Sequence, residues 1–112
     1  MKKNKLGLSA IEVSKVCLGT MTFGEQNNQD EAFAQMDYAV ENGVNFFDTA
    51  EMYPVPGKGS TKGGTEKIIG RWLEESGKRD AIYLATKVVG KGVKWIRKGS
   101  DFSKEQINQA ID

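Results

Sequence analysis

The sequence predicts an α/β protein in which helices cover a parallel sheet. Short, almost wholly apolar stretches alternate with segments whose apolar residues recur at helical spacing, in the order strand, helix, strand, helix, strand, start of a helix. Strands that are apolar on both faces are typical of parallel sheets. Glycines follow the helical segments, where a left-handed residue commonly ends a helix.

The N-terminal part of the chain leads into the sheet. Short apolar pieces in residues 6–13 suit a small hairpin ahead of the main fold. Residues 16–18 are β-branched or apolar and predict the first parallel strand, which breaks at Gly19, a residue suited to close approach by another group. The single cysteine, Cys17, lies in this strand, and we expect it to be a buried, inert thiol in a reducing compartment.

The first helix and the second strand follow. Asn28 and Glu31 have the spacing of a capping box, and the helix that they predict runs over 29–42 and ends at Gly43. Residues 44–47 then predict the second strand, because they are mostly apolar and β-forming.

The next connection, 54–64, holds both prolines and four glycines and is therefore predicted to be a loop. A second helix is predicted over 65–75, closed by Gly77. Its apolar face comprises Ile68, Ile69, Trp72 and Leu73. Residues 82–86 predict the third strand, which leads directly into Lys87.

A glycine- and lysine-rich loop occupies 90–102, and Ser103 with Gln106 predicts another capping box and a third helix that is cut off at Asp112. The basic residues of this loop are expected to form a solvated rim; they are Lys91, Lys94, Arg97 and Lys98. Three strand–helix units do not cover both edges of a parallel sheet. We therefore interpret residues 1–112 as the incomplete front portion of a larger α/β domain.

Composition limits the functions to consider. With 112 residues, 38% hydrophobic, 28% charged and a net charge of +1, the chain is typical of a globular protein and does not indicate a nucleic-acid partner. It has one cysteine and no histidine, so no metal site is predicted. No stretch approaches the ~20 apolar residues of a membrane helix, so we expect a cytoplasmic protein without a membrane partner.

Ionisable side chains follow two of the predicted strands. Asp48 ends the second strand and Lys87 ends the third, and neighbouring strands lie ~4.8 Å apart. Tyr53 lies in the loop that follows Asp48. An Asp–Lys pair beside a phenol lowers the pKa of the phenol, which suits it to donate a proton. The spacing is equally compatible with a structural ion pair beside a packed aromatic ring, so both readings stay open at this point.

Three segments carry a resemblance to a known family. They are 18–24 (LGTMTFG), 42–53 (NGVNFFDTAEMY) and 85–88 (ATKV), in this order along nearly the whole chain. Together they resemble the aldo-keto reductase family. Residues 22–27 (TFGEQN) and 50–56 (AEMYPVP) are most similar to its Tas-like bacterial branch.

The resemblance implies a (β/α)8 barrel, of which this chain would hold the first three βα units preceded by a short hairpin. It implies reduction of aldehydes or ketones to alcohols with NADPH as the cofactor and a small carbonyl compound as the substrate. Tyr53 would be the general acid, assisted by Lys87 and Asp48. The residues implied to border the cofactor are Gly19, Thr20, Met21, Gln26 and Asp48.

The chain departs from the family in one respect that bears on its site. The family's catalytic site includes a histidine at the end of the fourth strand, and neither that strand nor any histidine is present. A barrel of this type needs about 250 residues. Two alternatives therefore stand beside the reductase: a nucleotide-sensing regulatory subunit of the same fold, and a truncated copy without function.

Overall fold

The computed structural model describes residues 1–111. Within this range the strands are β1 (Lys3–Lys5), β2 (Glu12–Ser14), β3 (Leu18–Gly19), β4 (Phe46–Asp48) and β5 (Tyr83–Ala85), and the helices are α1 (Gln29–Glu41), α2 (Gly64–Ser76) and α3 (Lys104–Ile111), with a 3-10 turn at Arg79–Ala81. The sequence did not predict the 3-10 turn. Asp112, where the third helix was predicted to be cut off, lies outside the described residues.

The N-terminal strands form an antiparallel hairpin in which Lys3 lies opposite Ser14. Of the segment 6–13, where the hairpin was expected, residues 6–11 connect the two strands and residues 12–13 belong to β2. Asn45 attaches the hairpin to the start of β4, since its Oδ1 accepts from the Ser14 N–H at 2.7 Å and its Nδ2 donates to the Glu12 carbonyl at 3.0 Å. The hairpin therefore lies at the end of the sheet where β4 begins.

The main sheet has three parallel strands in the order β3-β4-β5. Leu18 lies opposite Phe47, and Asp48 lies opposite Ala85. The first strand of the sheet was predicted at residues 16–18, but β3 begins only at Leu18 and ends at Gly19. Ser14 Oγ donates to the Val16 carbonyl at 2.6 Å, so the chain is held in a local turn there and regular pairing starts only at Leu18.

Cys17 corrects a second expectation about this segment, because it is exposed rather than buried. It precedes the regular part of β3, which is an edge strand of the three-stranded sheet within residues 1–111. Its side chain therefore lines an open apolar groove beside Tyr38 and Val44.

Local signals account for the bounds of the helices. Asn28 Oδ1 accepts from the Glu31 N–H and Glu31 Oε2 accepts from the Asn28 N–H, both at 2.9 Å, so the predicted capping box is present at the start of α1. Gly63 and Gly77 flank α2 with φ of +68° and +66°. Glycine adopts this left-handed conformation without the steric cost that a side chain adds.

The core lies between the sheet and the first two helices. Phe47 of β4 packs on Trp72 of α2 with ring centroids 5.7 Å apart, and both side chains are almost completely buried. The remaining buried members come from α1, α2 and the segments next to the strands; they are Phe23, Ala32, Met36, Ala39, Val44, Ile69 and Ile82. None of the helices in residues 1–111 combines the length and apolarity that a membrane-spanning helix requires.

Hydrogen bonds to Ser100 organise the loop between β5 and α3. Its Oγ donates to the Gly90 carbonyl at 2.5 Å and accepts from the Val93 N–H at 3.0 Å. The expectation of a wholly solvated basic rim is wrong for Arg97, whose side chain is only 14% exposed and pairs with Glu51. An ion pair that spans two loops removes this guanidinium from solvent.

Only half of the second predicted capping box is present. Ser103 Oγ accepts from the Gln106 N–H at 3.4 Å, at the start of α3. The Gln106 side chain does not return to the cap; its Oε1 accepts from Arg97 Nε at 2.6 Å. The side chain therefore holds the loop rather than the helix terminus.

Candidate active site

The carboxyl ends of β3, β4 and β5 lie at one edge of the sheet, because the three strands are parallel. Thr20, directly after β3, donates to the Asp48 carbonyl through both its backbone N–H at 3.1 Å and its Oγ1 at 2.8 Å. Thr49, directly after β4, donates its N–H to the Ala85 carbonyl at 2.9 Å. These bonds continue the pairing past the strand ends and hold Asp48 in place.

Asp48 and Lys87 form the charged centre of this edge. Lys87 Nζ donates to Asp48 Oδ1 at 2.9 Å and to Oδ2 at 2.7 Å. It also donates to the Thr49 carbonyl at 2.7 Å. The ammonium thus has three acceptors in fixed positions, although the two side chains remain 48% and 40% exposed.

Tyr53 lies in the turn that follows β4, where its N–H donates to the Ala50 carbonyl at 3.1 Å. The half-buried ring faces Lys87, whose Nζ lies 5.0 Å from the ring centroid. At this distance the ammonium and the ring attract each other electrostatically. Asp48, Lys87 and Tyr53, predicted from strand ends to lie together, form one cluster in the structure.

The environment of Lys87 favours the charged form of its side chain. Partial burial is the largest single influence on the pKa of Lys87 and lowers it. The hydrogen bond and the charge of Asp48 act in the opposite direction, with further contributions from Tyr53, and together they outweigh burial. The pKa of Lys87 is therefore raised above its ordinary value, and the side chain is an ammonium at neutral pH.

The residues that the family resemblance assigned to a cofactor have different surroundings. Gly19 is exposed and pairs with Asp48, and a Cβ built there would have no neighbouring atom within 4 Å, so the space on that side of its backbone is open within residues 1–111. Thr20 is completely buried and its hydroxyl is committed to the Asp48 carbonyl. Met21 is exposed and its carbonyl accepts from the Val55 N–H at 2.9 Å. Gln26 is exposed in the loop before α1.

Glu51, which lies between Asp48 and Tyr53 in the chain, was not predicted to be a site residue. Its Oε2 accepts from the Val89 N–H at 2.9 Å, and its backbone N–H donates to the Lys87 carbonyl at 3.1 Å. Its position in the short connection between Asp48 and Tyr53 was the sequence signal that could have predicted a carboxylate next to the site. Its ion-pair partner Arg97 had no such signal, because the two residues are far apart in the chain and meet only through loop packing.

The sequence pattern of the Aldo/keto reductase family matches residues 15–112. The chain belongs to this family. Protein tas from Escherichia coli (strain K12) is 44% identical to it over 114 residues, which cover 99% of this chain and 33% of that protein. The uncharacterized oxidoreductase YrpG from Bacillus subtilis (strain 168) is 46% identical over 89 residues, covering 79% of this chain and 26% of YrpG.

A solved structure agrees with this assignment. The aldo-keto reductase AKR11C1 from Bacillus halodurans, in its holo form, superposes with a TM-score of 0.77 at 35% identity. The match covers 99% of this chain and 34% of that one. The chain thus has the α/β fold of aldo-keto reductases and spans about a third of the length of protein tas and of AKR11C1.

Proposed function

We propose that this chain is the N-terminal part of an NADPH-dependent reductase that converts aldehydes or ketones to alcohols, with Tyr53 as the general acid. The observation that carries the proposal is the position of Lys87 Nζ, bonded to both oxygens of Asp48 and 5.0 Å from the Tyr53 ring centroid. Membership of the aldo/keto reductase family supports the reaction type. In this proposal the three parallel strands are the first of eight in a closed barrel, and the protein acts in the cytoplasm.

The surroundings of Gly19 fit the nicotinamide end of the cofactor. Gly19 pairs with Asp48 at the strand ends, and the space above its Cα is open, so a flat ring has room against the backbone there. The exposed Met21 follows in the next loop, and Gln26 lies further along it. Thr20 contributes indirectly by holding the Asp48 carbonyl. A relative in holo form supports a bound cofactor, and the family resemblance supports NADPH.

Each residue of the cluster has a distinct part in this reaction. When bound, the nicotinamide supplies the hydride that reduces the carbonyl carbon. Tyr53 donates the proton that the carbonyl oxygen needs to become a hydroxyl. Lys87 places a positive charge against the ring and stabilises the negative charge left on the phenol oxygen. Asp48 keeps the ammonium charged and in position.

The test uses the complete protein that contains this chain. Turnover is measured on a panel of aldehydes and ketones with NADPH and with NADH, and cofactor affinity is measured by quenching of tryptophan fluorescence. Tyr53→Phe should lower turnover by roughly 10²- to 10⁴-fold while NADPH still binds. Tyr38→Phe is the matched control, because Tyr38 is a 69% exposed tyrosine on α1. The turnover of this variant should equal that of the wild type.

The two alternatives give different results in the same assays. Tight NADPH binding without turnover on any carbonyl would contradict the reductase and favour a nucleotide-sensing subunit. A complete protein that binds neither dinucleotide would contradict both and favour a copy without function. Unchanged turnover in Tyr53→Phe would remove Tyr53 from the role of general acid.

A further inference from the structure

Glu51 joins the two chain segments that carry Tyr53 and Lys87. Its backbone N–H donates to the Lys87 carbonyl at 3.1 Å, and its Oε2 accepts from the Val89 N–H at 2.9 Å. The side chain thus takes the place that a backbone carbonyl has in a regular parallel ladder, two residues beyond Lys87 and two residues before Tyr53. These two bonds and the ion pair with Arg97 are called the Glu51 clamp below.

Arg97 closes the clamp from the loop between β5 and α3. Its guanidinium pairs with Glu51 Oε1, and the two side chains are only 14% and 19% exposed. Its Nε donates to Gln106 Oε1 at 2.6 Å, which connects the pair to α3. The clamp therefore extends from the turn after β4 to the third helix.

Holding Arg97 in this position has a cost. Its φ is +47°, a left-handed conformation that residues other than glycine rarely adopt, and its Nη2 is buried without an acceptor in residues 1–111. Such features are costly and persist only where the surrounding structure holds them. They concentrate at functional sites, and here they belong to the ion pair with Glu51, whose N–H is bonded to the Lys87 carbonyl.

We propose that Glu51, held by Arg97, is a positioning residue that sets the spacing between the Lys87 ammonium and the Tyr53 ring. The inference rests on the proposed reductase function. Lys87 Nζ is held by Asp48 and the Thr49 carbonyl at one end of the side chain, and the Glu51 N–H holds the Lys87 backbone at the other. Without the carboxylate, the bond from the Glu51 N–H to the Lys87 carbonyl remains, but the bond to the Val89 N–H and the ion pair with Arg97 are lost.

Glu66 offers a matched comparison. It lines the same cavity of about 510 Å³ as Glu51 and Lys87, and it also carries a carboxylate. Its Oε1 accepts from Thr86 Oγ1 at 2.6 Å, which connects α2 to the end of β5 but not to the turn that carries Tyr53. Loss of charge in the cavity is common to Glu51→Gln and Glu66→Gln, whereas loss of the clamp is specific to Glu51.

The experiment measures kcat, KM, NADPH affinity and hydrogen exchange of the Val89 amide in the complete protein. Glu51→Ala should lower kcat by about 100-fold, since a displacement of about 1 Å at a reacting group has an effect of this size. NADPH affinity should not change. Glu51→Gln should lower kcat by only about 10-fold, because its amide oxygen can still accept from the Val89 N–H while the ion pair is lost. Glu66→Gln should leave kcat unchanged.

Two further readouts separate positioning from stability. The Val89 amide should exchange faster in Glu51→Ala and at the wild-type rate in Glu66→Gln. Arg97→Lys, which keeps a cation beside Glu51, should retain more turnover than Arg97→Gln. If Glu51→Ala does not fold, Glu51→Gln and the Arg97 pair carry the comparison.

The outcomes distinguish this inference from the reductase proposal. If the wild-type protein reduces carbonyls and Glu51→Ala changes neither kcat nor the exchange of the Val89 amide, the clamp is overturned and the reductase stays in place. A wild-type protein that reduces no carbonyl, but in which Val89 exchange depends on Glu51, would overturn the reductase and support the clamp. Equal losses of kcat in the Glu51→Gln and Glu66→Gln variants would mean that the loss of a negative charge in the cavity lowers kcat. That result would overturn the positioning role of Glu51.

Discussion

Within residues 1–111, an aspartate, a lysine and an aromatic ring lie together in two clusters. In the first cluster Lys78 Nζ donates to Asp37 at 2.7 Å and lies 5.7 Å from the centroid of the Trp72 ring. In the second, formed by Asp48, Lys87 and Tyr53, the corresponding distances are 2.7 Å and 5.0 Å. Composition and spacing therefore do not distinguish the two.

The two clusters differ in the surroundings of the aromatic ring and its polar atom. Trp72 is 1% exposed, and its Nε1 donates to Asp37 at 3.0 Å, so the first cluster is closed on itself. The ring of Tyr53 is half-buried at the carboxyl ends of the parallel strands, where α/β proteins place their chemistry. The first cluster has the features of a purely structural ion pair beside an aromatic ring. The second has a phenol at an open edge, which fits a site.

The largest contrast between the clusters should come from their lysines. Lys87→Met removes the positive charge beside Tyr53 and should lower carbonyl turnover of the complete protein by roughly 100-fold or more. Lys78→Met removes the same charge from the closed cluster and should leave turnover unchanged. Steady-state kinetics with NADPH measure both. Similar kinetics in the two variants would mean that the clusters do not differ in function.

A second contrast concerns the aromatic rings and stability. Trp72→Phe removes a donor to Asp37 and leaves a gap in the core, so it should lower the free energy of unfolding by about 1–3 kcal/mol. Tyr53→Phe removes a hydroxyl at the open edge and should change it by less than about 0.5 kcal/mol. Urea unfolding followed by circular dichroism measures both. A loss in Tyr53→Phe as large as that in Trp72→Phe would make Tyr53 a packing residue.

The smallest contrast is the pH range in which each cluster contributes to stability. The hydrogen bonds that Lys78 and Trp72 donate lower the pKa of Asp37 below its ordinary value of 3.8. Its contribution is present above that pH and is lost as the pH falls through the lowered pKa. The raised pKa of Lys87 gives a contribution that is present below 10.5 and is lost as the pH rises through the raised value.

Unfolding measured across pH should therefore weaken at the acid end through Asp37 and at the alkaline end through Lys87. Asp37→Asn should flatten only the acid end and Lys87→Met only the alkaline end. Each effect should stay below about 1 kcal/mol, because solvent screens exposed pairs. An alkaline dependence that persists in Lys87→Met would assign it to another group.

Local signals in the sequence were sufficient for α1 and for the strand-end cluster. The Asn28–Glu31 capping box has both of its bonds, because a box involves only residues three apart. Asp48 and Lys87 could be brought together because parallel strands end at one edge. Ser103 and Gln106 show where this reasoning fails, since a loop residue distant in sequence redirects the Gln106 side chain.

The sequence by itself predicted the order of strands and helices and placed Asp48, Lys87 and Tyr53 near one edge of the sheet, because apolar periodicity and strand ends act over short stretches of chain. Its motifs carried the resemblance to the family. Only the tertiary structure decided that Cys17 is exposed, that Thr20 supports Asp48, and which Asp–Lys–aromatic cluster is closed. It also brought Glu51 to Arg97. The physical reason is that burial and the choice of hydrogen-bond partner depend on segments far apart in the chain, which meet only when the loops pack.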